Sequence, residues 1–263
     1  MEHVDLDGIR IAYTRAGSGP PLVLVHGAPA DGRTWQWMLP DLARDHTVIA
    51  WDAPGFGRSS DIDDTWRAAQ FADALASFIG ALDLGRPHLV GHSFGTMIAL
   101  SLFQRHPALP ASLVLVGGYA GWAGSLPPDE VARRLEMFLG MADLGDEFDP
   151  KTYPGLFTDL IPADRDQMLV TMMTENIRPA SIRAAGHIGA ETDLRPLLPT
   201  IDVPALVLHG AADARSPIAN GEALHAAIST SQLVVLPRLG HACVVEDPVV
   251  CAAEIRRFVK SLG

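Results

Sequence analysis

Leu89-Val90-Gly91-His92-Ser93-Phe94-Gly95-Thr96-Met97 decides how the rest of the chain is read. A short apolar strand, His88 to Val90, runs into a serine between two glycines, and helix-forming residues follow through His106. That order puts Ser93 on a tight strand-to-helix turn. Side chains at 91 and 95 would collide with the neighbouring strand and helix where the backbone doubles back, so glycine is needed at both. The turn lifts the Ser93 hydroxyl clear of the sheet, and the N-terminus of the following helix points at any anion formed there. A glycine-flanked serine is also a common turn. Its chemical meaning depends on what the rest of the chain brings to it.

Upstream, Ile9 to Ala16 alternates apolar with polar residues and reads as an edge strand, with Gly17-Ser18-Gly19-Pro20-Pro21 as its turn. Leu22-Val23-Leu24-Val25 is a continuous run of the kind found in strands buried on both faces, and it ends in His26-Gly27-Ala28-Pro29. A helix with Trp35, Leu39 and Leu42 on one face is expected next. Thr47 to Trp51 is a further strand, closed by Asp52-Ala53-Pro54-Gly55-Phe56-Gly57-Arg58-Ser59. Phe71, Leu75, Phe78, Ile79 and Leu82 keep helical spacing between Thr65 and Leu82. Downstream of the Ser93 turn comes the strand Leu113-Val114-Leu115-Val116. Strand and helix alternate, which predicts an α/β chain with a mostly parallel central sheet and helices on both faces.

The alternation breaks at Gly117-Gly118. From Tyr119 to about Gly189 only helical patterns occur, over Glu130 to Met141, Ala163 to Glu175 and Ala180 to Ile188, separated by prolines. Strands resume at Ala205 to Leu208 and Leu233 to Leu236, with helices over Ile218 to Ile228 and Pro248 to Ser261. The expected organisation is a core of residues 1–118 and 190–263 interrupted by an all-helical insertion, 119–189.

Bulk properties exclude several classes. With 263 residues, 48% of them hydrophobic and 19% charged, the chain can bury a large core. A formal charge of −11, with only two lysines and no basic stripe, argues against nucleic acid and anionic membrane surfaces as partners. The longest uncharged run, Pro107 to Pro128, holds four glycines and reads as a buried strand and a loop, not a membrane span. The acidic start Met1-Glu2-His3-Val4-Asp5 has no apolar core of signal-peptide length, and Cys243 and Cys251 suit free thiols, so the cytoplasm is the expected compartment. Oligomeric state is not legible.

A serine hydroxyl is a poor nucleophile near neutral pH and needs a base, itself oriented by a third group. In open α/β sheets such groups gather at the carboxyl ends of strands. Asp213, after the 205–208 strand, and His241, after the 233–236 strand, meet that condition, giving the chain order Ser, Asp, His.

These features together resemble the α/β-hydrolase superfamily over nearly the full length: His26-Gly27-Ala28-Pro29, the Asp52-x-Pro54-Gly55-x-Gly57-x-Ser59 loop, the Ser93 turn, Gly210-x-x-Asp213, and Gly240-His241 with Glu246 and Pro248 behind it. The resemblance implies the α/β-hydrolase fold with a helical cap, Ser93 as nucleophile, His241 as general base and then acid, and Asp213 as its orienting carboxylate. It implies a backbone oxyanion hole as well. Pro29 has no N–H, so the first-loop donor is the Ala28 amide, with the Phe94 amide as the second.

Other polar residues read differently. His92, beside the nucleophile, is expected to point away and pack; His26 to brace its loop; Asp52 to form a turn; Glu246 to anchor the following helix. No metal-ligand spacing and no phosphate-binding glycine loop occur, so no metal or cofactor is expected. The insertion should fall over Ser93 and shape a pocket, with Trp35, Phe94, Met97, Trp122, Met137, Phe138, Met141, Phe157, Met172 and Met173 as apolar lining. That lining argues for a small, neutral, fairly apolar molecule as substrate. Hydrolysis of a carboxylic ester or lactone through an acyl-enzyme is the leading expectation. The same scaffold also permits C–C bond hydrolysis, although that group carries a glycine-rich first loop unlike the one here. It permits cofactor-free perhydrolysis, or a slow-turnover ligand sensor.

Overall fold

Runs of Val, Leu and Ile with no polar face are stable only in a sheet covered on both sides. In the computed structural model, which describes residues 1–6 and 8–263, these runs form the centre of one sheet. The strands are β1 (Glu2–Leu6), β2 (Ile9–Ala16), β3 (Pro21–Val25), β4 (Thr47–Trp51), β5 (His88–His92), β6 (Ser112–Val116), β7 (Ala205–Gly210) and β8 (Ser231–Leu236). They lie in the order β1-β2-β4-β3-β5-β6-β7-β8. The β1–β2 and β2–β4 pairs are antiparallel and the other pairs are parallel. Every residue of β6 and β7 is buried. Successive side chains of a strand point to opposite faces, so both faces of the sheet are covered there.

The sequence places Ile9–Ala16 at the sheet edge, but it lies one strand in. The edge is β1, whose residues are mostly exposed and carry little hydrophobic pattern to read. The helix expected around Trp35 is instead a 3-10 turn over Gly32–Trp35 followed by a single turn, α1 (Leu39–Leu42), with Pro40 in it.

Helices α2 (Ala68–Ala81) and α3 (Phe94–Arg105) pack on each other. The first buries Phe71, Leu75, Phe78 and Ile79, the stripe expected from their spacing. Between β6 and β7 the chain forms only helical structure: α4 (Pro128–Leu144), α5 (Ala163–Glu175) and α6 (Pro179–Glu191), with short 3-10 turns. Gly186 allows α4 and α6 to pack closely, because a Cβ there would stand 2.8 Å from that of Phe138. After β7 come α7 (Ile218–Ala227), α8 (Cys243–Glu246) and α9 (Pro248–Lys260), the last capped by Asp247 accepting from the Val250 amide.

Polar groups fasten the helical stretch to the strand ends. Asn176, wholly buried after α5, donates to Asp31 at 2.8 Å and to the Met172 carbonyl, and accepts from the Gly57 amide. Ser181 donates to the Gly55 carbonyl at 2.8 Å. Asp31 is a buried carboxylate held below its usual pKa: burial raises it, but hydrogen bonds from Arg33 and Asn176 outweigh that. Replacing Asn176 by alanine is therefore expected to cost about 2–3 kcal/mol, because an ionised partner loses a donor; the urea midpoint checks it.

His92 lies at the end of β5, buried against His241, and its pKa is pushed down to about 4 by burial and by the neighbouring His241 charge. An unfolded histidine protonates near 6.5. The unfolded chain therefore binds the extra proton between those values, and stability falls as pH drops through that window. His92→Asn should flatten the stability–pH slope by about one proton in the same window, read from urea midpoints at pH 7, 5.5 and 4.5.

Candidate active site

The ends of β5, β7 and β8 carry three loops to one point. Ser93 sits where β5 turns into α3, with φ 52° and ψ −113°, a left-handed conformation that costs a non-glycine residue. Its amide donates to the Val116 carbonyl at 3.0 Å and its carbonyl accepts from the Thr96 amide at 2.9 Å. The two flanking glycines are explained by contact. A Cβ on Gly95 would stand 2.8 Å from the His26 carbonyl oxygen, and one on Gly91 would stand 2.8 Å from the Thr96 amide nitrogen.

His241 follows β8 and is 2% exposed. Its Nδ1 lies 2.9 Å from Asp213 Oδ2 and its Nε2 lies 2.9 Å from Ser93 Oγ. Asp213 Oδ1 accepts from the Arg215 amide at 2.9 Å and the Ser216 amide at 2.6 Å. Burial works to raise the Asp213 pKa, but the neighbouring His241 imidazole and the hydrogen bonds from His241 and the Ser216 amide hold it below the usual carboxylate range. The carboxylate is thus ionised and accepts only, so Nδ1 of His241 carries the hydrogen and Nε2 offers its lone pair to the Ser93 hydroxyl. Gly117, at φ 53°, lets the end of β6 pass close by: a Cβ there would stand 3.3 Å from Asp213 Oδ2.

The bracing around this line differs in part from expectation. Glu246 accepts from the Gly240 amide at 2.6 Å and from the Thr158 hydroxyl at 2.7 Å, so it holds the His241 loop, and α9 is capped by Asp247 instead. His92 packs as expected, with its ring edge-on to Trp35 and 5.2 Å from that of His241 between centroids. Its Nε2 donates to the His241 carbonyl at 2.8 Å, and the residue lines the cavity in front of Ser93. His26 braces its loop, accepting the Ala53 amide at 3.0 Å and donating to the Gly27 carbonyl at 2.7 Å. Asp52 holds the Gly32 and Arg58 amides, both at 2.9 Å.

Two lobes of empty space meet at Ser93, sharing Ala28 and Tyr153 in their walls. The first is lined by His92, His241, Leu169, Met172, Met173 and Val245 among others. The second, narrower, is lined by Phe94, Met97, Tyr119, Trp122, Phe138 and Arg215 among others. The Ala28 and Phe94 amides donate to no protein acceptor among the described residues. Met97, Trp122, Phe138 and Met172 thus stand in the walls, as their sequence positions suggest. Trp35, Met141 and Phe157 do not. Trp35 is sealed in the core with its ring edge-on to His92, 6.3 Å between centroids. Met141 is buried on α4, in the wall of neither lobe. Phe157 lies beneath the Lys151 ammonium, 4.6 Å from the ring centroid.

Arg215 carries no motif that would single it out in the sequence. It is 4% exposed, with its guanidinium 4.4 Å over the Tyr153 ring. Its carbonyl accepts from Arg134 Nη2 at 2.8 Å and from the Tyr119 hydroxyl. Arg134 is itself paired with Glu130 at 2.6 Å. The expectation of a neutral substrate rests on the apolar residues of the helical segment and takes no account of this cation; the only hint was its place two residues after Asp213. Among the described residues, no three His, Cys, Asp or Glu side chains form a group that could hold a metal ion, and no helix is long and apolar enough to cross a membrane.

Comparison with known proteins gives the same frame. A 2-hydroxymuconate semialdehyde hydrolase of Pseudomonas sp. (strain CF600) is 30% identical, the match covering 96% of this chain and 91% of that protein. The pimeloyl-[acyl-carrier protein] methyl ester esterase of Aeromonas hydrophila subsp. hydrophila is 27% identical over 95% of this chain and 99% of its own. Among solved structures, a thermophilic esterase from Thermogutta terrifontis superposes with a TM-score of 0.85 at 27% identity, covering 100% of this chain and 99% of that one. Residues 22–254 match the alpha/beta hydrolase family, and with the sheet order and the turn at Ser93 they establish that the chain belongs to it.

Proposed function

We propose that this chain is a serine hydrolase that cleaves a carboxylic ester or lactone of a small, largely apolar substrate through an acyl-enzyme. The observation that carries the reading is the unbroken line of hydrogen bonds from Ser93 through His241 to Asp213, opening on a mostly apolar cavity. In the first half-reaction Ser93 Oγ bonds to the substrate carbonyl carbon while His241 Nε2 takes the hydroxyl proton. Asp213 remains ionised and stabilises the imidazolium that forms. The tetrahedral intermediate collapses, the C–O bond to the alcohol breaks, and His241 returns the proton to the departing oxygen. Water then repeats the sequence on the acyl-enzyme, releasing the acid and freeing Ser93.

The developing oxyanion needs donors that are fixed before charge appears. The amides of Ala28 and Phe94 fill that role, because both border the lobe beside Ser93 and neither is committed to a protein acceptor among the described residues. Phe94 also opens α3, so the partial positive end of that helix adds to the hole. The segment 119–189 serves as a cap: Tyr153, Leu169, Met172 and Met173 come from it to the cavity wall, where they exclude water and accommodate apolar groups. Two of the similar proteins are named as esterases, which supports ester hydrolysis, and the first loop, His26-Gly27-Ala28-Pro29, lacks the glycine-rich pattern of the C–C bond hydrolases.

Ser93→Ala is expected to lower turnover of a chain-length series of 4-nitrophenyl esters by about 10⁴-fold or more while leaving the thermal midpoint close to that of the parent. A neutral organophosphonate should label the parent on the Ser93 peptide, located by mass, and leave the alanine variant unmodified. Turnover that survives the alanine change would remove Ser93 as nucleophile. In Asp213→Asn the amide oxygen is needed by the Arg215 and Ser216 amides, so the Nδ2 donor faces His241 Nδ1 and favours the wrong tautomer, and kcat should fall by about 10⁴-fold.

A further inference from the structure

Buried guanidinium groups are almost always matched by a carboxylate or by several acceptors, because desolvating a cation without a partner is costly. Arg134 obeys that rule: Glu130, the Tyr119 hydroxyl and the Arg215 carbonyl take up its nitrogens at 2.6, 2.7 and 2.8 Å. Arg215 does not. Its residue is 4% exposed, yet among the described residues its guanidinium makes no hydrogen bond and no ion pair. Nor are its nitrogens among the buried polar atoms sealed off without a partner, so they open on free space. That space is the second lobe at Ser93, in whose wall Arg215 stands and no acidic residue does.

The site around it is built. The Arg215 amide is held by Asp213 Oδ1 at 2.9 Å, and its carbonyl by Arg134 Nη2 at 2.8 Å and by Tyr119. The guanidinium plane rests on Tyr153 at 4.4 Å and near Phe138 at 6.0 Å from the ring centroids, which fixes the direction of the charge without neutralising it. A planar fork held in this way, within an apolar lobe, matches a carboxylate and takes it in a two-point grip.

The two lobes also differ in what else they contain. His241, which must protonate the departing oxygen, lines the first lobe and not the second. The leaving group therefore belongs in the first lobe, and the acyl chain in the second, with Arg215. We propose that Arg215 is a specificity-determining residue that binds a free carboxylate on the acyl arm, and that the substrates are monoesters of dicarboxylic acids, or lactones of hydroxy-dicarboxylic acids, whose second carboxylate is free. This rests on the ester-hydrolase reading and narrows it. The substrate body is apolar, as the remaining walls require, but its far end is anionic.

The test compares two 4-nitrophenyl esters of equal length: the mono ester of glutaric acid, and the same ester with its free carboxylate replaced by a carboxamide. The parent protein should favour the anion in kcat/KM by about 10- to 100-fold, the range of a hydrogen-bonded charge pair, chiefly through KM. In Arg215→Met, whose side chain keeps an apolar stack on Tyr153, that ratio should fall towards one, and Arg215→Lys should restore part of it. A parent that treats the two esters alike, or prefers the carboxamide, overturns the proposal without any variant having to fold. Glutarate binding, measured by calorimetry, separates this inference from the catalytic one. Binding to the parent that is lost in Arg215→Met supports the carboxylate site even if neither ester is hydrolysed and the phosphonate fails to label Ser93. No glutarate binding, with Ser93 labelled normally, overturns the carboxylate site and leaves the hydrolase reading standing.

Discussion

Everything at the site depends on one backbone reversal. At Ser93 the chain passes from strand to helix through a residue at φ 52°, a conformation that costs a serine of order 1–3 kcal/mol. Hydrogen bonds on both sides hold it there, from the Ser93 amide to Val116 and from the Thr96 amide to Ser93. The close approach of β3 beneath Gly95 leaves no room for any other path. The sheet supplies the reaction force: β5 is paired on both sides by parallel strands, so its end cannot relax sideways. The consequence is a hydroxyl carried at fixed height above the strand ends, within 2.9 Å of an imidazole that arrives from β8, three strands away.

Much of this was legible in the sequence because each sign was local. Continuous branched runs marked β3 and β6, the helical period marked α2, and α5 came out with the same limits, Ala163–Glu175, that its spacing suggests. Ser93, Asp213 and His241 could be singled out because strand ends are visible as transitions from apolar runs to Gly-rich loops. What escaped was relational. Whether Met141 or Met172 reaches the cavity depends on how α4 and α5 are rotated over the sheet, and both have the same composition signal. Trp35 looked like a lining residue because it follows the first loop, but the 3-10 turn carries it into the core. The hydrogen bond of His92 is relational in the same way: the ring packs as expected, but its acceptor is the His241 carbonyl, brought in by a distant loop.

Charge is distributed with the same economy. The chain carries a formal −11, yet among the described residues no acid stands in the wall of either lobe at Ser93, while one guanidinium does. Asp213 is the nearest buried carboxylate and is fully occupied by two amides and His241. Glu246, raised by burial and held by Thr158 and the Gly240 amide, faces the back of the His241 loop. With a net negative charge on the chain, long-range attraction does not favour an anion, so any affinity for one would come from short-range contacts and not from steering.

Those short-range contacts share a support with the proposed catalytic base. One oxygen of Asp213 orients His241; the other holds the amides of Arg215 and Ser216. On its far side the Arg215 carbonyl is fixed by Tyr119 and Arg134, which the first turn after β6 and α4 bring in. The backbone at Arg215 is thus held on both sides, by the carboxylate that orients the imidazole and by Arg134 and Tyr119. Preorganisation of this kind is what lets binding energy at the far end of a substrate be expressed at the reacting carbonyl, since neither group has to be ordered when the other is engaged.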